Sequence, residues 1–489
     1  MKDALFHLDP IEGVGLQAQV REMLVSAILS RRLQPGEAVP SSRAMAEQLS
    51  VSRNTITLAY QALVADGYLE SRDRSGYYVG QDAPVSGAEP DTATRPAPGV
   101  DIDSIWRTRF RRSFSRQDRI AKPLNWREYA YPFVYGQADP SLFNHSDWRD
   151  CARQALGLRN FEAMAGDKGE ADDPLLVDYI RARTLPRRGV MVAGDQILVT
   201  MGAQNALFLL AELLCARGAR VAIEDPCYPD FRNTLARLGA EIVLIPVDEH
   251  GLVIDERLSD VDVVFVTPSH QAPTTATMPL SRRRELLAAA ERDDFIIIED
   301  DYDFELGFLQ KPAPALKSLD QSDRVIYVGS FSKSLFPGLR LGYVAAPEPV
   351  IAEARALRFL MLRHPPGHAQ RTAAYFLALG HHDALINRLR NALAGRRSVM
   401  EDALENAGLS DARAPQFGGA SFWIEAPEAV DTALLAARLN ERSVLIEPGA
   451  PFFANNRSSR HMRLGYSSIK SERIAEGIEI LREEIEQFC

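Results

Sequence analysis

The spacing of apolar residues predicts three helices near the start of the chain. Apolar positions recur with a helical period from Leu16 to Leu33, and Gln34-Pro35-Gly36 then acts as a helix stop. Two shorter helical stretches follow, from Arg43 to Leu49 and from Arg53 to about Asp66, each preceded by serine residues suited to an N-cap. The chain therefore opens with a small helical unit.

A two-stranded hairpin is predicted directly after the third helix. Gly67 ends that helix, and the strands Tyr68-Leu69-Glu70 and Tyr77-Tyr78-Val79 flank a polar turn from Arg72 to Gly76. Only Ser50-Val51-Ser52 separates the second helix from the third. Two short helices, a tight turn and a hairpin are the pattern of a winged helix-turn-helix, in which the second of the two helices contacts DNA.

The apolar pattern in the rest of the chain is typical of an α/β fold. Short β-branched runs alternate with helical stretches, which predicts a mostly parallel sheet with helices on both faces. The predicted strands are Ile197 to Thr200, Arg220 to Ile223, Ile242 to Ile245, Val261 to Val266, Phe295 to Ile298 and Val325 to Val328. From about Arg355 onward, long helices and a strand at Ala420 to Glu425 indicate a smaller α+β subdomain.

These patterns divide the chain into a winged helix-turn-helix at residues 1–80, a linker at 81–125 and an α/β region at 126–489. The linker begins with a stretch that holds few large apolar residues and four prolines, Pro84, Pro90, Pro96 and Pro98. It ends with a basic stretch from Trp106 to Lys122 that contains seven Lys or Arg residues and one acid. This basic stretch either adds contacts to DNA phosphates or forms a solvated helix face.

Composition restricts the class of protein. The 489 residues carry a net charge of −10 with 46% apolar residues, which is ordinary for a globular protein with a sizeable core. No export signal, no membrane-spanning apolar run and no CxxC pair among the four cysteines is visible, so a cytoplasmic protein without structural zinc or membrane attachment is expected. Residues 1–79 hold eight Lys or Arg and nine Asp or Glu, so DNA binding would depend on where the cations lie.

The predicted recognition helix places polar side chains where base edges would lie. Residues at the N-terminal end of such a helix contact bases, and arginines on the preceding helix and on the hairpin contact phosphates. An alternative interpretation is a small helical interaction domain with solvated arginines. The predicted DNA contacts are Arg43, Ser52, Arg53, Asn54, Thr55, Arg72 and Arg74.

A lysine among small hydroxyl residues is the most informative chemical feature of the chain. Lys333 follows Ser330 and Ser332, comes after the predicted strand Val325 to Val328, and precedes Arg340 by seven residues. A lysine so placed can form a Schiff base with pyridoxal phosphate. The two serine hydroxyls and the guanidinium group would then hold the cofactor's phosphate.

Three elements upstream of the lysine fit the same cofactor. Ala203-Gln204 opens a helix after a strand, where free backbone N–H groups bind phosphate. Tyr228 follows the next strand and can stack on a pyridine ring. Asp300-Asp301-Tyr302 ends a buried strand, where a carboxylate can pair with the pyridinium nitrogen and the tyrosine can bond the ring hydroxyl.

Two parts of the chain resemble known families. Val39-Pro40-Ser41-Ser42-Arg43, Val51-Ser52-Arg53-Asn54-Thr55 and Gly67-Tyr68-Leu69 resemble the DNA-binding domain of the GntR family. The ordered lysine, tyrosine and aspartate elements resemble the fold-type I, class I aminotransferases. Together they resemble the MocR/GabR family of pyridoxal-phosphate-dependent transcriptional regulators over nearly the whole chain.

The resemblance implies a role for each of these residues. Lys333 would be the Schiff-base lysine and Asp300 the partner of the pyridinium nitrogen, with Asp301 as the alternative. Arg463 stands where the family places the arginine that binds the carboxylate of a substrate or effector. The remaining cofactor contacts would be Tyr302 at the ring hydroxyl, Tyr228 at the ring face, and Ala203, Gln204, Ser330, Ser332 and Arg340 around the phosphate.

The chain also departs from the family pattern. The asparagine that aminotransferases use beside the cofactor is missing from Ser269-His270-Gln271, and Gln271 is the candidate replacement. Asp230 stands where the regulator of GABA catabolism has an arginine, which argues against GABA as the effector.

The resemblance implies a ligand-gated transcription factor. An amino compound would react with the cofactor on Lys333 and thereby switch operator binding or activation. A homodimer is expected because the aminotransferase site spans a dimer interface and operators are usually repeated half-sites. Two alternatives remain open here: an aminotransferase that carries a DNA-binding domain, and a cofactor-free dimerisation scaffold.

Overall fold

The computed structural model describes residues 6–8, 14–72, 75–83, 106–115, 117–137, 139–166, 170–310, 313–409, 418–455 and 460–488. The chain divides into two compact units, Met1–Ser113 and Phe114–Cys489. The second unit begins ahead of residue 126, the start expected from the sequence. Arg74 and the proline-rich positions 84–98 lie outside the described residues.

Among its described residues, the first unit has three helices and a hairpin: α1 (Leu16–Leu29), α2 (Ser42–Gln48), α3 (Arg53–Ala65), β1 (Leu69–Arg72) and β2 (Gly76–Val79). Ser41 Oγ caps α2 by accepting a hydrogen bond from Ala44 N at 3.2 Å, and Ser52 Oγ caps α3 through Thr55 N at 3.1 Å. The two strands are antiparallel, with Arg72 opposite Gly76. The predicted winged helix-turn-helix is therefore confirmed, although α1 ends four residues earlier than its apolar pattern indicated.

The elements of the second unit, in chain order, are β3 (Tyr131–Pro132), α4 (His145–Ala155), α5 (Leu158–Ala165), α6 (Pro174–Tyr179), β4 (Ile197–Thr200), α7 (Ala203–Leu214), β5 (Arg220–Asp225), α8 (Pro229–Leu238), β6 (Glu241–Asp248), β7 (Gly251–Leu252), β8 (Val263–Val266), α9 (Leu280–Asp293), β9 (Ile296–Asp301), α10 (Leu316–Leu319), β10 (Val325–Ser330), β11 (Gly342–Ala345), α11 (Glu348–Leu362), α12 (Gly367–Ala378), α13 (His381–Asn406), β12 (Ser421–Glu425), α14 (Thr432–Glu441), β13 (Val444–Leu445), β14 (Glu447–Pro448), β15 (His461–Gly465) and α15 (Ser471–Glu486).

Eight strands form the central sheet in the order β4-β11-β10-β9-β8-β5-β6-β7. The pairs β10/β9, β9/β8, β8/β5 and β5/β6 are parallel, whereas β11 is antiparallel to both its neighbours and β7 is antiparallel to β6. Helices α7, α8 and α11 pack on one face, and α9 and α10 pack on the other. This arrangement confirms the predicted α/β fold, and it explains why the central strands are apolar on both faces.

A second, smaller layer follows the central sheet. Strands β12, β15 and β14 form an antiparallel sheet whose apolar side packs against α13, α14 and α15. Phe133, which lies directly after β3, is fully buried in this smaller core, so the chain around β3 packs with the subdomain. The predicted α+β subdomain is thus observed. Within the described part of the chain, no helix is both long enough and apolar enough to span a bilayer.

Candidate functional site

A cavity of about 370 Å³ opens at the carboxyl ends of the central strands. Such an edge is the usual ligand site of open α/β sheets, since loops from neighbouring parallel strands meet there. The residues of the second unit that line it are Ile120, Lys122, Tyr135, Gln137, Ala203, Gln204, Leu207, Tyr228, Asp230, Ala272, Asp300, Tyr302, Ser330, Ser332, Lys333, Arg340, Glu447 and Arg463. All ten residues expected from the sequence to bind cofactor or effector therefore lie around one cavity.

Lys333 lines this cavity, and its side chain lies so close to position 136 that only a glycine fits there. Gly136 has a φ of +70°, and a Cβ atom at this position would lie 2.1 Å from Lys333 Nζ. The ammonium group lies 4.6 Å from the centroid of the Tyr135 ring. Burial, the positive charge of Arg463 and, to a smaller degree, that of Lys122 lower the pKa of Lys333 to about 8.

The lowered pKa makes a testable prediction for the cofactor-free protein. A neutral amine is nucleophilic and an ammonium is not, so modification of Lys333 by acetic anhydride should increase as the pH rises through about 8. Exposed lysines, with pKa values near 10.4, should reach half of their maximal rate more than two pH units higher. Mass spectrometry of the modified peptides measures both groups in one sample. A Lys333 profile that coincides with the exposed lysines would contradict the prediction.

Asp300 and Asp301 point to different surroundings because adjacent residues of β9 face opposite sides of the sheet. Asp301 Oδ2 accepts hydrogen bonds from the buried Arg188 Nε at 2.6 Å and from Tyr327 Oη at 2.8 Å. Asp300 lines the cavity, and its Oδ1 is buried without a hydrogen-bond partner among the described residues. Burial and neighbouring carboxylates raise the pKa of Asp300 well above its usual value. Asp300 is thus the carboxylate available to a ligand.

Arg340 and the start of α7 form a polar cradle at one end of the cavity. Gly202, with a φ of +80°, precedes α7, and a Cβ atom here would lie 3.1 Å from Arg340 Nη2. Ser330 Oγ accepts a hydrogen bond from Ser332 N at 3.1 Å, and Ser332 Oγ is buried without a partner among the described residues. Free N–H groups at a helix start, a guanidinium group and an unpaired hydroxyl are the donors that bind a phosphate.

Two tyrosines border the space between Asp300 and this cradle. Tyr302 donates from its hydroxyl to the carbonyl oxygen of His270 at 2.9 Å. The Tyr228 hydroxyl lies 2.8 Å from both Gln204 Oε1 and Asp230 Oδ2. Burial raises the pKa of both phenols, so each hydroxyl keeps its proton and remains a donor.

Arg463 lines the same cavity and already has an anionic neighbour. Its Nε donates to Glu447 Oε2 at 2.7 Å, and both side chains are buried. The guanidinium carbon lies 4.3 Å from the centroid of the Tyr135 ring and 4.8 Å from that of Phe452. Glu447 bonds the Nε of the guanidinium group, and the two aromatic rings pack against the group. These contacts together hold Arg463 in place.

The sequence did not indicate Tyr135 or Glu447 as site residues. Tyr135 contacts both Lys333 and Arg463, and its hydroxyl donates to Asp303 Oδ2 at 3.0 Å. Neither residue belongs to a local motif; the one available signal was the glycine after Tyr135.

The Gln271 hypothesis is not supported by the geometry. Gln271 Nε2 donates to Glu224 Oε2 at 3.1 Å and to Pro226 O at 2.8 Å, whereas its Oε1 accepts from Thr274. The side chain is buried and fully engaged, and it is the next residue, Ala272, that lines the cavity. The missing asparagine therefore has no replacement at this position.

In the first unit, most of the predicted DNA-contacting residues are exposed. Arg43, Ser52, Arg53 and Asn54 are exposed at the N-terminal ends of α2 and α3, and Thr55 is half-buried. The Ser52 and Thr55 hydroxyls lie 2.8 Å apart, so they engage each other. On the hairpin, the exposed Arg72 stacks over the Tyr78 ring at 4.2 Å. Arg74 lies outside the described residues.

Comparison with known proteins decides the family. Residues 181–481 match aminotransferase class I and II, and residues 16–79 match the bacterial regulatory proteins of the gntR family. The chain is 50% identical over 475 residues to the HTH-type transcriptional regulator TauR of Rhodobacter capsulatus, covering 97% of each chain. It is 32% identical over 483 residues to the probable rhizopine catabolism regulatory protein MocR of Rhizobium meliloti, covering 97% and 94%.

The chain belongs to the MocR family of transcriptional regulators. This MocR-type regulator also resembles solved aminotransferases in structure. It matches the kynurenine aminotransferase of Pyrococcus horikoshii, solved in complex with PMP, with a TM-score of 0.69 and 26% identity over 78% of this chain and 98% of that one. The expected family and fold class are therefore confirmed.

The site of this MocR-type regulator fits the cofactor that the fold implies. A half-buried lysine with a lowered pKa, a buried aspartate with an unpartnered oxygen and a cradle of phosphate donors surround a single cavity. These are the three groups that pyridoxal phosphate needs for its aldehyde, its ring nitrogen and its phosphate.

Proposed function

We propose that this protein is a pyridoxal-phosphate-dependent transcriptional regulator whose operator binding or activation is switched by an amino compound. The observation that carries the proposal is the convergence of Lys333, Asp300 and Arg340 on one cavity, in a chain that also contains a winged helix-turn-helix. Because its partner would be chromosomal DNA, the protein would act in the cytoplasm.

Each residue of the site would hold one part of the cofactor. Ala203, Gln204, Ser330, Ser332 and Arg340 would bind the phosphate, and Asp300 would pair with the ring nitrogen. Tyr228 would lie against the ring and Tyr302 would bond its hydroxyl. When bound, the cofactor supplies an aldehyde that condenses with primary amines, either that of Lys333 or that of a ligand.

Different residues of the cavity would interact with different functional groups of the effector. Lys333 would hold the aldehyde, because its lowered pKa, about 8, gives a larger share of neutral, nucleophilic amine near pH 7 than an ordinary lysine has. Arg463 would bind an acid group of the effector through the nitrogen atoms that Glu447 leaves free. A shift in the position of Arg463 would move β15 within the small subdomain, which supplies the conformational change that a regulator needs.

A homodimer is proposed as the form that binds DNA. Operators of helix-turn-helix proteins are commonly two half-sites, and their spacing matches a twofold arrangement of the protein. The similar protein of Rhizobium meliloti is named as a catabolism regulator. We therefore propose that the target genes serve the uptake or catabolism of a nitrogen-containing compound.

A visible absorption titration tests the proposal. The full chain, supplied with pyridoxal phosphate, is titrated with amino acids, amines and amino-sulfonates, and each compound that changes the spectrum is tested for its effect on binding to a selected DNA fragment. We expect one compound to shift the cofactor's absorption band reversibly and to change DNA affinity. A protein that shows no cofactor band would overturn the proposal.

The same DNA assay tests the recognition helix. Arg53→Ala should weaken binding to the selected fragment at least about fivefold, since a bidentate arginine contributes roughly 1–3 kcal/mol of discrimination. Arg21→Ala is the matched control, because Arg21 pairs with Asp66 at the opposite end of α3. Equal effects of the two substitutions would exclude a specific role for Arg53.

The second candidate function is an aminotransferase, and the complete set of Lys333, Asp300 and Arg340 favours it. The titration separates the two functions. Loss of the cofactor band together with release of a keto acid from the added compound indicates an enzyme, whereas a reversible shift without keto acid indicates a regulator.

A further inference from the structure

A short segment at the start of the second unit reaches the cavity. Residues 117–122, which we call the entry strap, lie in the stretch that the sequence assigned to the linker. Ile120 and Lys122 of the entry strap line the cavity together with Lys333 and Arg463. From the sequence, the basic stretch was expected either to contact DNA phosphates or to form a solvated helix face. Neither interpretation placed any of its residues at the candidate effector site.

The entry strap is attached to the helix that borders the cavity. Asn233 Nδ2 of α8 donates to the carbonyl oxygen of Asp118 at 2.6 Å, and Arg232 Nη2 lies 3.9 Å from Asp118 Oδ2. Arg232 is buried and also donates to Pro451 O at 2.8 Å and to Phe452 O at 3.1 Å. Since the Phe452 ring packs on Arg463, the entry strap, α8 and the effector arginine belong to one contact network.

The carboxylates that line the cavity are engaged or assigned to the cofactor, and the exposed Lys122 has no counter-ion among the described residues. Glu447 is paired with Arg463, the carboxylate of Asp230 is bonded by Tyr228, and Asp300 is assigned to the ring nitrogen of the cofactor. Within the ranges that the structure describes, Lys122 has neither an ion pair nor a hydrogen bond. Its charge contributes to the lowered pKa of Lys333, which shows that the two ammonium groups share one electrostatic environment.

We propose that Lys122 is an effector-binding residue, whose ammonium group pairs with the acid group of the amino compound alongside Arg463. This inference rests on the proposed function and adds a second cation to the site that would bind the effector's carboxylate or sulfonate group. Glu447 balances the positive charge of Arg463. With the charge of Lys122 added, the three side chains carry a net positive charge, which attracts the acid group.

Lys122 lies close to the N-terminal end of the second unit, which begins at Phe114. Among the described residues that line the cavity, it is the one lysine or arginine that precedes Lys333 in the chain. A ligand held by Lys122 would therefore contact the N-terminal part of the second unit.

Calorimetric titration of the pyridoxal-phosphate-loaded full chain tests the assignment. The probes are 3-aminopropanoate and 2-aminoethanesulfonate, which carry an acid group, and 1-aminopropane, which does not. Lys122→Ala should weaken binding of the tighter acid probe at least about fivefold and leave the affinity for 1-aminopropane unchanged. Lys122→Arg should retain most of the affinity. Arg119→Ala is the matched control, because Arg119 is an exposed cation of the same strap outside the cavity lining.

The outcomes separate this inference from the proposed function. Equal effects of Lys122→Ala and Arg119→Ala on the acid probe, or an equal loss of 1-aminopropane binding, would show that Lys122 does not contact the acid group. Wild-type protein that binds 1-aminopropane as tightly as either acid probe would overturn the inference. It would not contradict the proposed function of a cofactor-dependent regulator. Wild-type protein that takes up no cofactor would overturn the proposed function itself.

Discussion

Replacement of Lys333 by alanine is expected to abolish the effector response and to leave the fold and operator binding intact. The response should be lost because Lys333 is the half-buried amine that lines the cavity, with Nζ against Gly136 and Tyr135. The fold should persist because burial of the charged lysine is unfavourable, as its lowered pKa shows. Stability at pH 7 should therefore stay unchanged or increase slightly.

Two measurements on the Lys333→Ala protein check this expectation. Its visible spectrum should not change with any amine that shifts the wild-type band, and its DNA affinity should be the same with and without that amine. Lys333→Arg is the informative companion, since it keeps a cation but has no nucleophilic amine at neutral pH. Lys317→Ala is the control for loss of a lysine elsewhere, because Lys317 pairs with Asp320 and Asp323. An operator response that persists in Lys333→Ala would contradict the regulatory mechanism.

Much of the fold could be predicted because its signals are local. The serine caps of α2 and α3 and the pairing of the two hairpin strands each depend on a few residues, and the structure has them where the sequence indicated. The strand-ending positions of Asp300 and Ser330 could be predicted for the same reason. The end of α1 does not follow its local signal so closely, since the helix ends at Leu29, before the predicted stop at Gly36. Strand β11 was not predicted, since it is short and pairs antiparallel with two strands that are distant from one another in sequence.

The composition of the site could be predicted only in part, because several of its residues converge from distant segments. Glu447 faces Arg463 across adjacent strands, and Tyr135 follows an edge strand far upstream. Lys122 belongs to a stretch whose charge pattern equally fits a solvated surface. Asp300 and Asp301 are adjacent in β9, so their side chains face opposite sides of the sheet. Which of the two faces the cavity depends on how β9 pairs and packs with its neighbours, and the sequence of β9 alone does not give this.

Replacement of Arg188 by leucine is expected to destabilise the second unit by about 3 to 5 kcal/mol, the usual consequence of leaving a buried charge unpaired. Arg188 is fully buried, and it donates to Asp301 Oδ2 at 2.6 Å, to Ala313 O at 2.6 Å and to Ser269 Oγ at 2.8 Å. Burial alone would lower its pKa, but the adjacent Asp301 charge outweighs it and raises the pKa of Arg188. Without the arginine, the buried Asp301 carboxylate would keep, among the described residues, the hydrogen bond from Tyr327 and the more distant charge of Arg283.

Urea unfolding followed by tryptophan fluorescence measures this effect, since Trp126, Trp148 and Trp423 all lie in the second unit. Arg187→Leu is the matched control, because the neighbouring arginine pairs with Asp383 at the surface and should contribute about 0 to 1 kcal/mol. A double variant, Arg188→Leu with Asp301→Asn, should recover part of the loss, since it also removes the unpaired carboxylate. If Arg188→Leu unfolds at the same urea concentration as Arg187→Leu, the ion pair with Asp301 does not stabilise the sheet edge that presents Asp300. In that case the orientation of Asp300 must depend on the backbone pairing of β9 with β8 and β10 alone.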